Sequence, residues 1–197
     1  MQITFFTNYS IKEFSQKGSN TFPDAPERCP FGDCSMPVRL KRHGFYSRFF
    51  ISKSFFGRIY IRRYICPICG RTVSMLPMFC IPRFQYSGDD IMNTLRNFYQ
   101  SGISLKKFIE QLKADLPALE RRHINYYRRR IIENRKFIQY GLNLISPEFI
   151  SAGNIPENQK WIKIFLNKAH SLHNHVFIVN FARITGKSFM ISQNMIA

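Results

Sequence analysis

Two cysteine pairs constrain this chain more than any other feature: Cys29-Pro-Phe-Gly-Asp-Cys34 and Cys66-Pro-Ile-Cys69-Gly70. Each pair lies in a tight turn containing Pro or Gly, the geometry that aims two thiolates at one tetrahedral ion. The second pair has the spacing of a zinc knuckle, whose backbone N–H groups near the thiolates help offset their charge. The first pair has four intervening residues and is the less typical half. A small, basic, polar module has little other means of stability, which favours a metal over four buried thiols. One structural Zn2+ per chain is therefore expected, held by Cys29, Cys34, Cys66 and Cys69, with no ligand position left open for a substrate. Cys80 stands outside this scheme and reads as a packed thiol beside Pro82. His43 is a less favoured substitute ligand.

Charge points to a polyanionic partner. Lys and Arg total 29 against 12 Asp and Glu, a formal net charge of +17. The excess is uneven: from Cys34 to Gly88 there is no acidic residue, while Arg39, Lys41, Arg42, Arg48, Lys53, Arg58, Arg62, Arg63, Arg71 and Arg83 all fall there. Such a stretch carries a coherent positive field. A second run, Arg121, Arg122, Arg128, Arg129, Arg130, Arg135 and Lys136, has only Glu120 and Glu133 beside it. Aromatic residues interleave with the arginines, which suits phosphate forks and base stacking. No stretch approaches the roughly 18 apolar residues of a spanning helix. The opening Met1-Gln2-Ile3-Thr4-Phe5-Phe6 lacks the pattern of a signal peptide. No membrane partner is expected, and the expected location is cytoplasmic, at the nucleoid, where cysteines serve as thiols or metal ligands.

Periodicity divides the chain into an N-terminal arm or edge strand (1–26), a zinc ribbon (27–84), a helical domain (87–146) and a C-terminal segment of no assigned role (147–197). From Arg39 to Cys66 the pattern is that of strands. Ile59, Ile61 and Ile65 alternate with Arg58, Tyr60, Arg62 and Tyr64, so one face packs while the other is basic and aromatic. Arg63 is the exception on the apolar side. Ser87-Gly88-Asp89-Asp90 then resembles a capping box and opens a helix with Ile91, Leu95, Phe98 and Tyr99 on one face, stopping at Gly102. Ser104 caps a second helix that ends before Pro117. A third spans 118–145, with Ile124, Ile131, Ile138 and Ile145 every seven residues, and ends at Ser146-Pro147. Packing of its C-terminal half within the chain is favoured over packing on a second subunit.

The predicted class is thus α+β: a small β zinc ribbon followed by a helix-turn-helix domain with a long third helix. In a helix-turn-helix the second helix of the motif enters the major groove. The preferred placement makes the third helix the reader, through Arg121, Arg122, Asn125, Tyr126, Arg128 and Arg129; arginine pairs with guanine and asparagine with adenine. The plainer alternative is that these arginines touch phosphates alone. Arg58, Tyr60, Arg62 and Tyr64 on the sheet are further candidate nucleic-acid contacts.

Several segments together resemble the N-terminal zinc-ribbon and helix-turn-helix regions of insertion-sequence transposases. They are Cys29-Pro, Val38-Arg39-Leu40-Lys41-Arg42-His43-Gly44, Tyr64-Ile65-Cys66-Pro67-Ile68-Cys69-Gly70-Arg71-Thr72, Leu76-Pro77 and the helix after Tyr86-Ser87. Short stand-alone bacterial proteins of the same build are a still closer likeness. The resemblance spans roughly residues 27–130 and implies binding of element-end or operator duplex DNA, with a transposase or a second copy of the chain as protein partner. Full transposases carry a nuclease domain with three separated carboxylates on two metal ions. After residue 130 this chain has only Glu133, Glu148 and Glu157, so DNA binding without catalysis is the expectation. Three rivals remain open: a regulator dimerising through the third helix, a single-strand binder stacking bases on Tyr46, Tyr60 and Tyr64, and a metal-dependent nuclease using His170, His173 and His175.

Overall fold

A computed structural model describes residues 1–116, 118–147 and 157–191; Pro117 and Glu148 lie outside them. The chain divides into two compact units, Met1–Gln85 and Tyr86–Ala197. The class is α+β, with a four-stranded sheet and seven α-helices among the described residues.

The first unit is built on strands β1 (Gln2–Phe5), β2 (Lys41–Ser52), β3 (Phe55–Ile65) and β4 (Thr72–Pro77), in the spatial order β1-β4-β3-β2. β2 and β3 form a long hairpin, β4 pairs antiparallel to β3, and β1 adds to the edge of β4 in parallel. Residues 1–26 are therefore more than an arm. β1 is an edge strand, and helix α1 (Ile11–Lys17) follows it, opened by a Ser10/Glu13 capping box. α1 buries Phe14 among Phe50, Ile59, Ile61, Leu76 and Cys80. Phe14 meets Phe22 and Phe79 edge-on at 5.3 and 5.4 Å, the arrangement aromatic quadrupoles prefer. A second cluster joins Leu40, Tyr64, Val73 and Met75 to Cys29 and Cys66.

The hairpin is not uniform. Arg42 pairs with Tyr64 and Phe45 with Arg62, so β2 carries one extra residue there. This is a β-bulge with Gly44 at φ +83°, a backbone region open chiefly to glycine. The extra residue puts Arg42 and Phe45 on one face of the strand.

The second unit contains α2 (Gly88–Ser101), α3 (Leu105–Leu112), α4 (Arg121–Glu133), α5 (Arg135–Ile145), α6 (Asn158–Ser171) and α7 (Asn174–Thr185). The capping reading at its start holds: the Ser87 hydroxyl accepts from the Asp90 amide and donates to its carboxylate at 2.6 Å. α2 ends at Gly102 in the left-handed conformation, and Ser104 caps α3.

The predicted long third helix is two helices. Asn134, at φ −89° and ψ 10°, interrupts the run between α4 and α5 through a local backbone departure, while its amide still donates to the Arg130 carbonyl and its carbonyl still accepts from Ile138. It is fully buried, and its Nδ2 donates to the carbonyls of Phe189 and Ile191 at 2.9 and 2.8 Å. The heptad isoleucines 124, 131 and 138 are nonetheless buried, and they pack within the chain, α4 touching α6 and α5 touching α7. α5 and α7 approach closely at Gly141, where a Cβ would lie 2.2 Å from the Phe181 ring. The described part of the C-terminal segment thus supplies core: Trp161, Phe165, Phe177, Phe181 and Phe189 are all buried.

Candidate functional site

The four cysteines predicted to share a metal come together. Their Sγ atoms all lie within 4.8 Å of one another, with Cys29 to Cys69 at 3.8 Å and Cys34 to Cys66 at 3.9 Å. A tetrahedron of thiolates about 2.3 Å from a central ion has edges of about 3.8 Å. The spacing therefore fits a four-coordinate metal, and none of the four is in a disulfide.

Two unlike turns achieve this. In the second knuckle the Gly70 amide donates to the Cys66 carbonyl and the Cys66 amide to the Arg71 carbonyl, with Gly70 at φ +69°. In the longer first knuckle the amides of Cys34 and Ser35 both donate to the Phe31 carbonyl, and Ser35 takes a positive φ of 42° without being glycine. The atypical spacing is thus accommodated by a strained serine.

Arg71 joins the two knuckles. Its guanidinium donates to Asp33 Oδ1 at 2.6 Å and lies 4.1 Å from the Phe31 ring centroid. Its positive charge beside the Cys69 sulfur pulls that thiol down to about 6. Cys29, by contrast, is pushed up to about 12 by burial. Arg71 thus does for one thiolate what a bound metal would do for all four, in the position of an outer-shell partner. Sequence reasoning counted Arg71 only as one more cation. The available signal was Asp33, the last acid before the acid-free stretch, placed beside a cysteine.

The remaining fifth thiol, Cys80, is fully packed and likewise raised to about 12 by desolvation. Among the described residues, the four cysteines are the sole metal-compatible grouping. His170, His173 and His175 do not converge; His175 instead faces Asp89 at 3.6 Å.

The predicted nucleic-acid contacts divide. On the sheet, Arg58 and Tyr60 are exposed, with Arg58 donating to Ser47 at 2.7 Å. Arg62 and Tyr64, read as their neighbours on an open face, are instead buried. The segment after α1 covers that end of the sheet: Tyr64 donates its hydroxyl hydrogen to the Pro23 carbonyl at 2.9 Å, and Arg62 lies among Phe22, Phe45 and Tyr64. Alternation established which side of the strand they occupy, but cover from a distant segment is invisible to a period-two pattern.

On α4, Arg121, Arg122, Asn125, Tyr126 and Arg129 are exposed, and Ile124, Tyr127 and Ile131 are buried. Arg122 and Arg129 make exposed ion pairs with Glu120 and Glu133. Arg128 sits at the margin of the buried stripe and is used internally, donating to the Tyr99 hydroxyl at 2.9 Å and lying over the rings of Phe98 and Tyr99. Its role is to fasten α4 to α2. The connection from α2 to α3 is the short, glycine-containing one, whereas residues 113–120 separate α3 from α4, longer than the usual three or four residues of a helix-turn-helix.

No helix among the described residues is long and apolar enough to cross a membrane. No curated protein and no solved structure matches the chain. A family model described as a domain of unknown function (DUF6431) matches residues 29–111, from the first cysteine of the four-cysteine cluster into α3.

Proposed function

We propose that this chain is a zinc-stabilised DNA-binding protein of the type found in mobile elements, with α4 as its principal DNA-facing helix and no catalytic site of its own. The observation that carries the reading is the solvent side of α4. Arg121, Arg122, Asn125 and Arg129 project from one face of a helix whose other side is anchored by Ile124, Tyr127 and Ile131. The exposed ion pairs on that face are weak and screened, so phosphates can displace the carboxylates. The acid-free sheet, with exposed Lys41, Arg42, Arg58 and Tyr60, supplies further positive charge. Four soft thiolate ligands in tetrahedral array favour zinc over harder cations, and a saturated site suits a structural ion. Glu133 is engaged by Arg129 and Arg130, which speaks against its serving as a nuclease carboxylate. The likeness to transposase N-terminal regions makes element-end duplex the expected target and a transposase or a second copy of the chain the expected protein partner.

The test is duplex binding by fluorescence anisotropy across a salt series, with zinc quantified on the same protein. One zinc per chain is expected, with affinity falling about 10³ to 10⁵-fold between about 50 and 200 mM salt for roughly 6 to 10 phosphate contacts. Replacing Arg121, Arg122 and Arg129 together by Ala should weaken binding at least about tenfold, and the α3 change Lys106→Ala with Lys107→Ala should matter less. Salt-independent binding, or a triple variant that binds like the parent, would overturn the reading. Single-stranded competitors that win over duplex would move the contact to the exposed aromatics Tyr60 and Phe56 on the hairpin.

A further inference from the structure

In the first unit a cleft of about 320 Å³ opens between the segment after α1 and the bulged end of the β2–β3 hairpin. Its wall includes Phe22, Asp24, Arg39, Arg42, Arg62 and Tyr64. We infer that this cleft is a phosphate-binding pocket, with Arg62 at its floor and Arg42 at its rim.

The first ground is Arg62 itself. Arg62 is only 9% exposed, yet among the described residues it has no carboxylate and no hydrogen-bond acceptor. Its guanidinium is held by rings alone, 4.3 Å from the Phe45 centroid and 5.9 and 6.0 Å from those of Phe22 and Tyr64. A buried charge without a counter-ion is unfavourable, and contacts with ring faces recover only part of what hydration supplied. Arginine stacked on aromatic faces keeps its edge N–H donors free, the fork that matches phosphate oxygens.

The second ground is the bulge. Without the extra residue at Gly44, regular alternation would put Arg42 and Phe45 on opposite faces. With it, Arg42 stands opposite Tyr64 and Phe45 opposite Arg62, so the ring that supports Arg62 and the second arginine share one face of the strand, and Arg42 lines the cleft. Bulges commonly re-aim side chains at functional positions.

The third ground is charge balance. Asp24 is the sole carboxylate of the wall, and it approaches Arg39 at 3.8 Å with its own side chain 95% exposed. It pairs with Arg39 and with neither Arg42 nor Arg62, which leaves those two for a ligand. Two uncompensated guanidinium groups match a phosphate better than a singly charged carboxylate. The volume exceeds one phosphate group, leaving room for an attached sugar. The phosphate can come from a nucleic-acid strand or from a free nucleotide; both present the same group to the same arginines.

Calorimetric titration of the full-length, metal-loaded protein in low-salt, phosphate-free buffer tests this, using inorganic phosphate, a mononucleotide and acetate as separate ligands. Metal content is checked after each run. Phosphate should bind saturably and acetate at least about tenfold more weakly. Arg42→Ala, an exposed change that leaves the fold intact, should weaken phosphate about tenfold, and Arg62→Met should abolish binding. A mononucleotide tighter than inorganic phosphate identifies a free nucleotide as the source; displacement of phosphate by duplex DNA identifies a strand. The α4 triple variant should bind phosphate like the parent, which separates this pocket from the DNA-facing role of α4. No saturable phosphate binding, or Arg42→Ala and Arg62→Met variants that bind as the parent does, would overturn the assignment.

Discussion

In the sheet unit two of the four clustered thiols, Cys29 and Cys66, are themselves part of an apolar cluster with Leu40, Tyr64 and Val73. In the helical unit the interior is built from rings and aliphatic side chains, with Trp161 stacked on Phe165 at 5.5 Å and Phe165, Phe177 and Phe189 meeting at 5.5 to 6.1 Å. The first arrangement brings together four thiols that could hold a metal ion, and an ion bound there would add to its cohesion. The second has no such grouping among its described residues and relies on apolar burial. The difference teaches that the same excess of arginine can sit on two kinds of scaffold, one with a metal-compatible cysteine cluster in its core and one built on apolar burial.

The sharpest way to break that contrast is to remove the metal. Chelation, or Cys66→Ser, should unfold the sheet unit, since binding free energy for a structural ion of this type, about 10 kcal/mol or more, is folding free energy. Trp161 is the one tryptophan in the chain and lies in α6, so its fluorescence should stay native while far-UV dichroism loses its strand contribution. A Trp161 signal lost together with the metal would show that the helical unit also depends on it.

A smaller effect is expected from Gly141→Ala. Alanine ordinarily favours a helix over glycine by about 1 kcal/mol, but here the added methyl meets the buried Phe181 ring at 2.2 Å. Overpacking, typically about 1–3 kcal/mol, should win. Denaturant melts followed at Trp161 should shift to lower midpoints with metal content unchanged, and a stabilised variant would mean that α5 and α7 separate readily.

Smallest of all is a pH effect at α7. Asp89 faces His175 at 3.6 Å and raises its pKa above the ordinary imidazole value of 6.5. A raised histidine stabilises the fold fully below its unfolded value and loses that contribution as pH climbs through the folded one. Stability of the helical unit should therefore decline slightly as pH rises above about 6.5, by about a few tenths of a kcal/mol for so solvent-screened a pair. His175→Gln should flatten that slope; an unchanged slope would assign it to another group.

Local chemistry was legible where it acts over a few residues. The cysteine spacings pointed to the four sulfurs that converge, Ser87 and Ser104 marked the starts of α2 and α3, and Gly102 marked a stop. The misread positions share one cause, a partner far away in sequence. The predicted long helix departs from helical geometry at Asn134, whose side-chain amide is bonded to the carbonyls of Phe189 and Ile191. Arg62 and Tyr64 are hidden because residues near 22 fold over them. Arg128 belongs to the basic run by composition but to the α2–α4 contact by geometry. Asp33 and Arg71 are unremarkable 38 positions apart and become a clamp only when the knuckles meet.

By itself the sequence determined the net charge, the acid-free stretch, the four cysteines that converge and the starts of α2 and α3, because these follow from residue type and short-range spacing. Tertiary structure decided which arginines face solvent, which are fasteners and which line a cleft. That choice depends on what covers each side chain, and cover comes from segments that only folding brings near.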